Sequence, residues 1–111
     1  MNPTQQDVHD AYGELYQALT NAYWAASTIV DKDRIRGAAD AVFDILTALN
    51  RAEIKSRTQD YADLKTQVDA ITKKLTALQQ DIDSINHKID IATNVVQRIT
   101  KALDLGGKFF T

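Results

Sequence analysis

The forty residues from Leu64 to Leu103, LKTQVDAITKKLTALQQDIDSINHKIDIATNVVQRITKAL, decide how this chain folds. An apolar or alanine residue recurs in them at alternating steps of four and three: Leu64, Val68, Ile71, Leu75, Leu78, Ile82, Ile85, Ile89, Ala92, Val96, Ile99 and Leu103. That spacing puts every one of them on a single narrow stripe of an α-helix, the pattern of a coiled-coil seam. Read as one unbroken element, it predicts a heptad helix over residues 60–104, roughly 70 Å long at 1.5 Å per residue. Asp81, Asp83 and Ser84 are residue types that would suit a turn, but the seam keeps its phase through Leu78, Ile82 and Ile85. The continuous helix is therefore preferred, with a compact four-helix bundle as the alternative.

Upstream, two shorter stripes predict helices over about 4–29 and 32–54. The first carries Val8, Tyr12, Leu15, Leu19, Ala22, Ala26 and Ile29, with Thr4 and Asp7 spaced as a capping box. In the second, Ile35, Ala38, Ala39, Val42, Leu46 and Leu49 form the inner face, and Asp31 or Asp33 is the expected cap. Between Leu49 and Leu64 the stripe changes phase, which reads either as a helix–helix connection near residues 55–59 or as a stutter within one continuous helix, with a break or kink preferred. Gly106-Gly107 is expected to close the last helix, leaving residues 106–111 as a short tail. The whole is one helical domain, 1–111: an all-α fold in which an antiparallel helical hairpin packs on a long coiled-coil helix.

Length leaves a long seam beside a first helix near 40 Å. Leucine and isoleucine left in water cost about 1.5–3 kcal/mol each. The expected partner is thus a second copy of the chain or a heterologous helical protein. Leu64, Ile71, Leu75, Leu78, Ile82, Ile85 and Ile89 are the expected interface knobs. Trp24 lies off the main stripe of the first helix and is the expected exposed aromatic. Phe109 and Phe110 either pack over a helix end or form a docking peptide.

Chemistry is hard to find. With no cysteine, the chain offers no disulfide, thiolate metal site or cysteine nucleophile. Asp83, His87 and Asp90 share a helical face, but it points away from the seam and reads as solvated surface. No Glu-x-x-His pair, phosphate-cradling glycine loop or HExxH occurs, so no enzyme, metal or cofactor is expected. A net charge of -2 without a concentrated basic face speaks against nucleic acid. The N-terminus lacks the pattern of a signal peptide, so cytoplasm is the default compartment and secretion without a signal peptide the alternative. The length suggests a comparison with helical secretion substrates of the WXG type. However, Trp24 is followed by Ala25-Ala26, so the defining motif is missing and no family follows.

A structural or adaptor protein, acting through helical self-assembly or protein–protein interaction, is the function these residues suggest. A secreted or toxin-associated helical protein acting on a partner or at a membrane is the first alternative, with the membrane surface not favoured. An inhibitor or immunity-like binding protein is the second.

Overall fold

A computed structural model describes residues 3–51, 53–85 and 88–110, with the side chains of residues 83–85 outside that description. Four helices follow one another: α1 (Gln5–Ala25), α2 (Ile29–Leu49), α3 (Thr58–Ile85) and α4 (Ile89–Phe109), with a 3-10 turn at Ile54–Ser56. No strand occurs among the described residues.

Local chemistry sets the first two boundaries. Thr4 caps α1 by accepting a hydrogen bond from the Asp7 N–H, and Asp7 accepts one in return from the Thr4 N–H, which completes the expected capping box. α2 starts earlier than expected because its cap is Thr28, whose hydroxyl accepts from the Asp31 N–H. Asp31 sits inside the first turn, near the positive end of the helix dipole, and is not the cap.

Contacts between the helices fix an up-down-up-down arrangement. Gln5, at the start of α1, reaches the Leu49 carbonyl at the end of α2. Arg34 near the start of α2 pairs with Asp81 near the end of α3 at 3.0 Å. The Gln79 side chain of α3 donates to the Val96 carbonyl of α4 at 3.2 Å. Arg98 of α4 returns to Glu14 of α1 at 2.9 Å, which closes the ring.

The long helix expected over 60–104 does not form. α3 ends at Ile85, and Lys88 is extended (φ -86°, ψ 105°) just before α4 begins. The described residues extend over 43 × 26 × 19 Å, far short of the roughly 70 Å a continuous helix requires. Folding back lets α4 lie against both α1 and α3, so the apolar side of α3 is buried within its own chain. α4 also uses a different stripe from the one the seam projects. Its buried residues are Ala92, Val95, Ile99, Ala102, Gly106 and Phe109, while Val96 and Leu103 are half-buried and Ile89 faces solvent.

One end of the bundle is sealed. The Gln5 amide nitrogen donates to the carbonyls of Leu49 (2.7 Å) and Arg51 (2.6 Å), and its oxygen accepts from the Ile54 N–H at 3.0 Å. This fixes the α2–α3 connection, where Glu53 takes a left-handed conformation (φ 52°). The helix runs through Gly106 and Gly107 to Phe109, contrary to the expected stop at the glycine pair. Phe109 and Phe110 stack edge to face at 4.9 Å, with Phe110 5.9 Å from the Tyr61 ring and the Lys55 ammonium 4.2 Å from the Phe109 ring. Both phenylalanines are buried, so the packing expectation holds and the docking-peptide role does not.

Candidate interaction surface

The expected knobs do not form a surface. Leu64, Ile71, Leu75, Leu78 and Ile82 are each 2% exposed or less, because α1, α2 and α4 together enclose them. The uncovered seam that called for an oligomer is therefore absent from the folded chain. The Ile85 side chain and His87 lie outside the described residues, and with them the face shared by Asp83, His87 and Asp90. Ile89 and Trp24 remain exposed, at 79% and 74%.

These two belong to the end opposite the sealed one. Trp24 lies in the last turn of α1, and Ile29 and Val30 open α2 at 77% and 76% exposure. α4 runs antiparallel to α1, with Arg98 and Lys101 both on Glu14. That register brings Ile89, the first residue of α4, level with the final turn of α1. Four large apolar side chains, three-quarters or more in water apart from Trp24 at just under that, thus mark a single end of the bundle.

The local sequence explains why they are outside. The α1–α2 turn is only Ala26, Ser27 and Thr28, so α2 must start with whichever residues follow the Thr28 cap. Ile29 and Val30 fall in the first turn, beyond the level at which Ile35 first reaches the core. Trp24 is held where it is from below. Its ring meets Tyr23 edge to face at 5.2 Å, and the Lys32 ammonium lies 4.7 Å from the Tyr23 ring and 5.7 Å from that of Trp24. Lys32 also donates to the Tyr23 carbonyl at 2.8 Å, satisfying an acceptor in the last turn of α1.

From Trp24 the aromatic surface continues along the outer side of the α1–α2 hairpin. Tyr16, Thr20, Tyr23, Trp24, Arg36 and Asp40 line a groove of about 380 Å³. Phe43 stands beyond it, half exposed, with its ring 5.6 Å from Tyr16. Flat rings with polar tips, held in place by neighbours, are the side chains that anchor protein interfaces. Trp24 was legible in the sequence as off-stripe; Ile29 was not, because it reads as the end of the α1 stripe, although it opens α2.

No group of three or more histidine or acidic side chains among the described residues stands close enough to hold a metal ion. His9 Nδ1 is buried without a hydrogen-bond partner and lies 3.6 Å from an Asp10 carboxylate oxygen. No described helix is long and apolar enough to cross a membrane. Compared with known protein families, curated proteins and solved structures, the chain matches none.

Proposed function

We propose that this protein is a helical interaction module: a four-helix scaffold that docks a partner protein through its open end. One observation carries the reading. The two ends of the bundle are built differently, one closed by Gln5, Tyr61, Phe109 and Phe110, the other exposing Trp24, Ile29, Val30 and Ile89. Four large apolar side chains left in water at one end of the bundle suit a binding surface. A protein partner fits better than an acidic lipid surface, because Asp31, Asp33 and Asp90 stand among these residues and outnumber Lys32 and Lys88.

Site-specific photocrosslinking in cells tests it. A photoreactive side chain at Trp24 or Ile29 is expected to give discrete protein adducts. One at Thr76 or Gln80, exposed polar positions on α3, is the control and is expected to give none. Equal adducts from both sets, or adducts from neither, would count against the open end as the docking surface. Flotation with vesicles separates the lipid reading, for which the protein is expected to stay in the aqueous fraction.

A further inference from the structure

Along the solvent side of α2 lie Asp33, Arg36, Gly37, Asp40, Phe43 and Asp44, all exposed. Arg36, Asp40 and Asp44 enter no ion pair or hydrogen bond among the described residues. Charge along this helix is ordered. Residues 29–37 carry three basic and two acidic side chains, whereas residues 38–49 carry two acidic and no basic ones. A helix that is basic in its first half and acidic in its second complements a copy of itself when the two run antiparallel. Run parallel, the same halves meet and repel.

Gly37 adds a steric observation. A Cβ built there meets nothing within 4 Å, so the bundle has no use for the missing side chain. An exposed glycine inside a helix costs about 1 kcal/mol relative to alanine. What it provides is a place where another helix backbone can come close, one residue from Arg36 and three from Asp40. Gly37 itself borders a shallow hollow of about 340 Å³ between α2 and α3, lined also by Arg34, Lys74 and Leu78. The α1–α2 groove of about 380 Å³ opens instead beside Arg36 and Asp40, with Phe43 exposed on the same hairpin.

We infer that the protein forms an antiparallel homodimer through the outer face of α2, with a twofold axis between Arg36 and Asp40. Arg36 of each copy faces Asp40 of the other, so the pair is made twice by symmetry. Phe43 lies about as far from this axis on one side as Lys32 and Asp33 lie on the other. The second copy's Phe43 is thereby brought to the groove lined by Tyr16, Tyr23 and Trp24, the last two of which Lys32 already holds in place. Asp44 of the second copy arrives at Lys32, with Arg34 two residues further on and Asp31 and Asp33 as the like charges on either side of that lysine. The antiparallel pairing points the two open ends in opposite directions. If those ends dock partners as proposed above, the dimer is a bivalent linker; the dimer itself does not depend on that reading.

Sedimentation equilibrium from low to high micromolar concentration, with circular dichroism to check folding, tests the interface. The wild type is expected to be a dimer. Arg36→Asp and Asp40→Arg are each expected to weaken self-association at least about tenfold, because like charges then meet at both symmetric positions. The double variant Arg36→Asp/Asp40→Arg is expected to restore the dimer. Mixing the two single variants is expected to yield a heterodimer, since opposite charges again meet. Gly37→Gln, which fills open space in the bundle, is expected to keep or raise helicity and to lose the dimer. A wild type that stays monomeric overturns the proposal. So do folded single variants that associate like the wild type, or a folded double variant that does not recover. Should the charge reversals misfold, Gly37→Gln decides alone, and a folded Gly37→Gln dimer overturns the proposal. Failure of the docking role would appear in the crosslinking and leave all these results unchanged.

Discussion

Tyr12 is fully buried, and its hydroxyl has no hydrogen-bond partner. An unpaired buried hydroxyl costs about 1–3 kcal/mol. Tyr12→Phe is therefore expected to leave stability unchanged or to raise it, as measured by urea unfolding at neutral pH. Burial also pushes the ionisation of Tyr12 up from the ordinary 10.0 to about 12. A folded-state value above the unfolded one means that stability is whole below about pH 10 and falls as pH rises towards 12. The slope is at most about 1.4 kcal/mol per pH unit. The wild type is expected to lose stability more steeply than Tyr12→Phe over that window, and equal slopes would contradict the assignment. Gly106 faces the same hydroxyl, and a Cβ there would lie 3.0 Å from it but 3.6 Å or more from the ring carbons. Gly106→Ala is expected to cost about 1 kcal/mol in the wild type and to be neutral or stabilising in the Tyr12→Phe background. Sequence placed Tyr12 in the core correctly. It misread Gly106 as a helix stop, because a glycine that ends a helix and one that admits a neighbouring ring look alike in a string.

Among the elements, α1 and α2 were legible because each carries one stripe and a threonine or aspartate near its start. The C-terminal half carries two stripes. Ile85, Ile89, Ala92, Val96, Ile99 and Leu103 continue the phase of α3, while Ala92, Val95, Ile99, Ala102, Gly106 and Phe109 form the rival that α4 buries. Val95 and Phe109 were the signal for the second register. Periodicity alone could not rank the two, since only contact with α1 and α3 selects between them. Ile82 and Ile89 are equivalent on a continuous seam but 1% and 79% exposed here. Ile82→Asp is expected to cost more than about 3 kcal/mol by stranding a carboxylate in the core, and Ile89→Asp to stay within about 0.5 kcal/mol of wild type. Thermal or urea unfolding of the pair reads the difference, and equal losses would restore the seam register. The phase change between Leu49 and Leu64 marked the α2–α3 connection, but nothing in the local sequence showed its anchor, Gln5, nearly fifty residues away. Gln5→Ala is expected to cost about 1–3 kcal/mol through three lost hydrogen bonds, with hydrogen exchange speeding up first at Ile54.

At the scale of the molecule, the unbroken phase of the seam past Asp81, Asp83 and Ser84 outweighed these turn-suited residues and hid the reversal that turns a long helix into a bundle. That reversal moves the apolar surface of the chain from a seam awaiting partners to an interior, and leaves the open end and the outer face of α2 as the two contact surfaces proposed above. The chain has no cysteine, so Ala62→Cys and Lys108→Cys introduce two unique spin-label sites near opposite ends of the α3–α4 segment. Pulsed electron paramagnetic resonance on the doubly labelled chain, diluted with unlabelled protein, measures the distance between them within one chain. The Tyr61 and Phe110 rings lie 5.9 Å apart, and neighbouring helices are about 10 Å across. A bundle closed within the chain therefore places the labels within about 25 Å of each other, whereas a distance near 70 Å would mean that the seam runs on as one helix and the account is wrong.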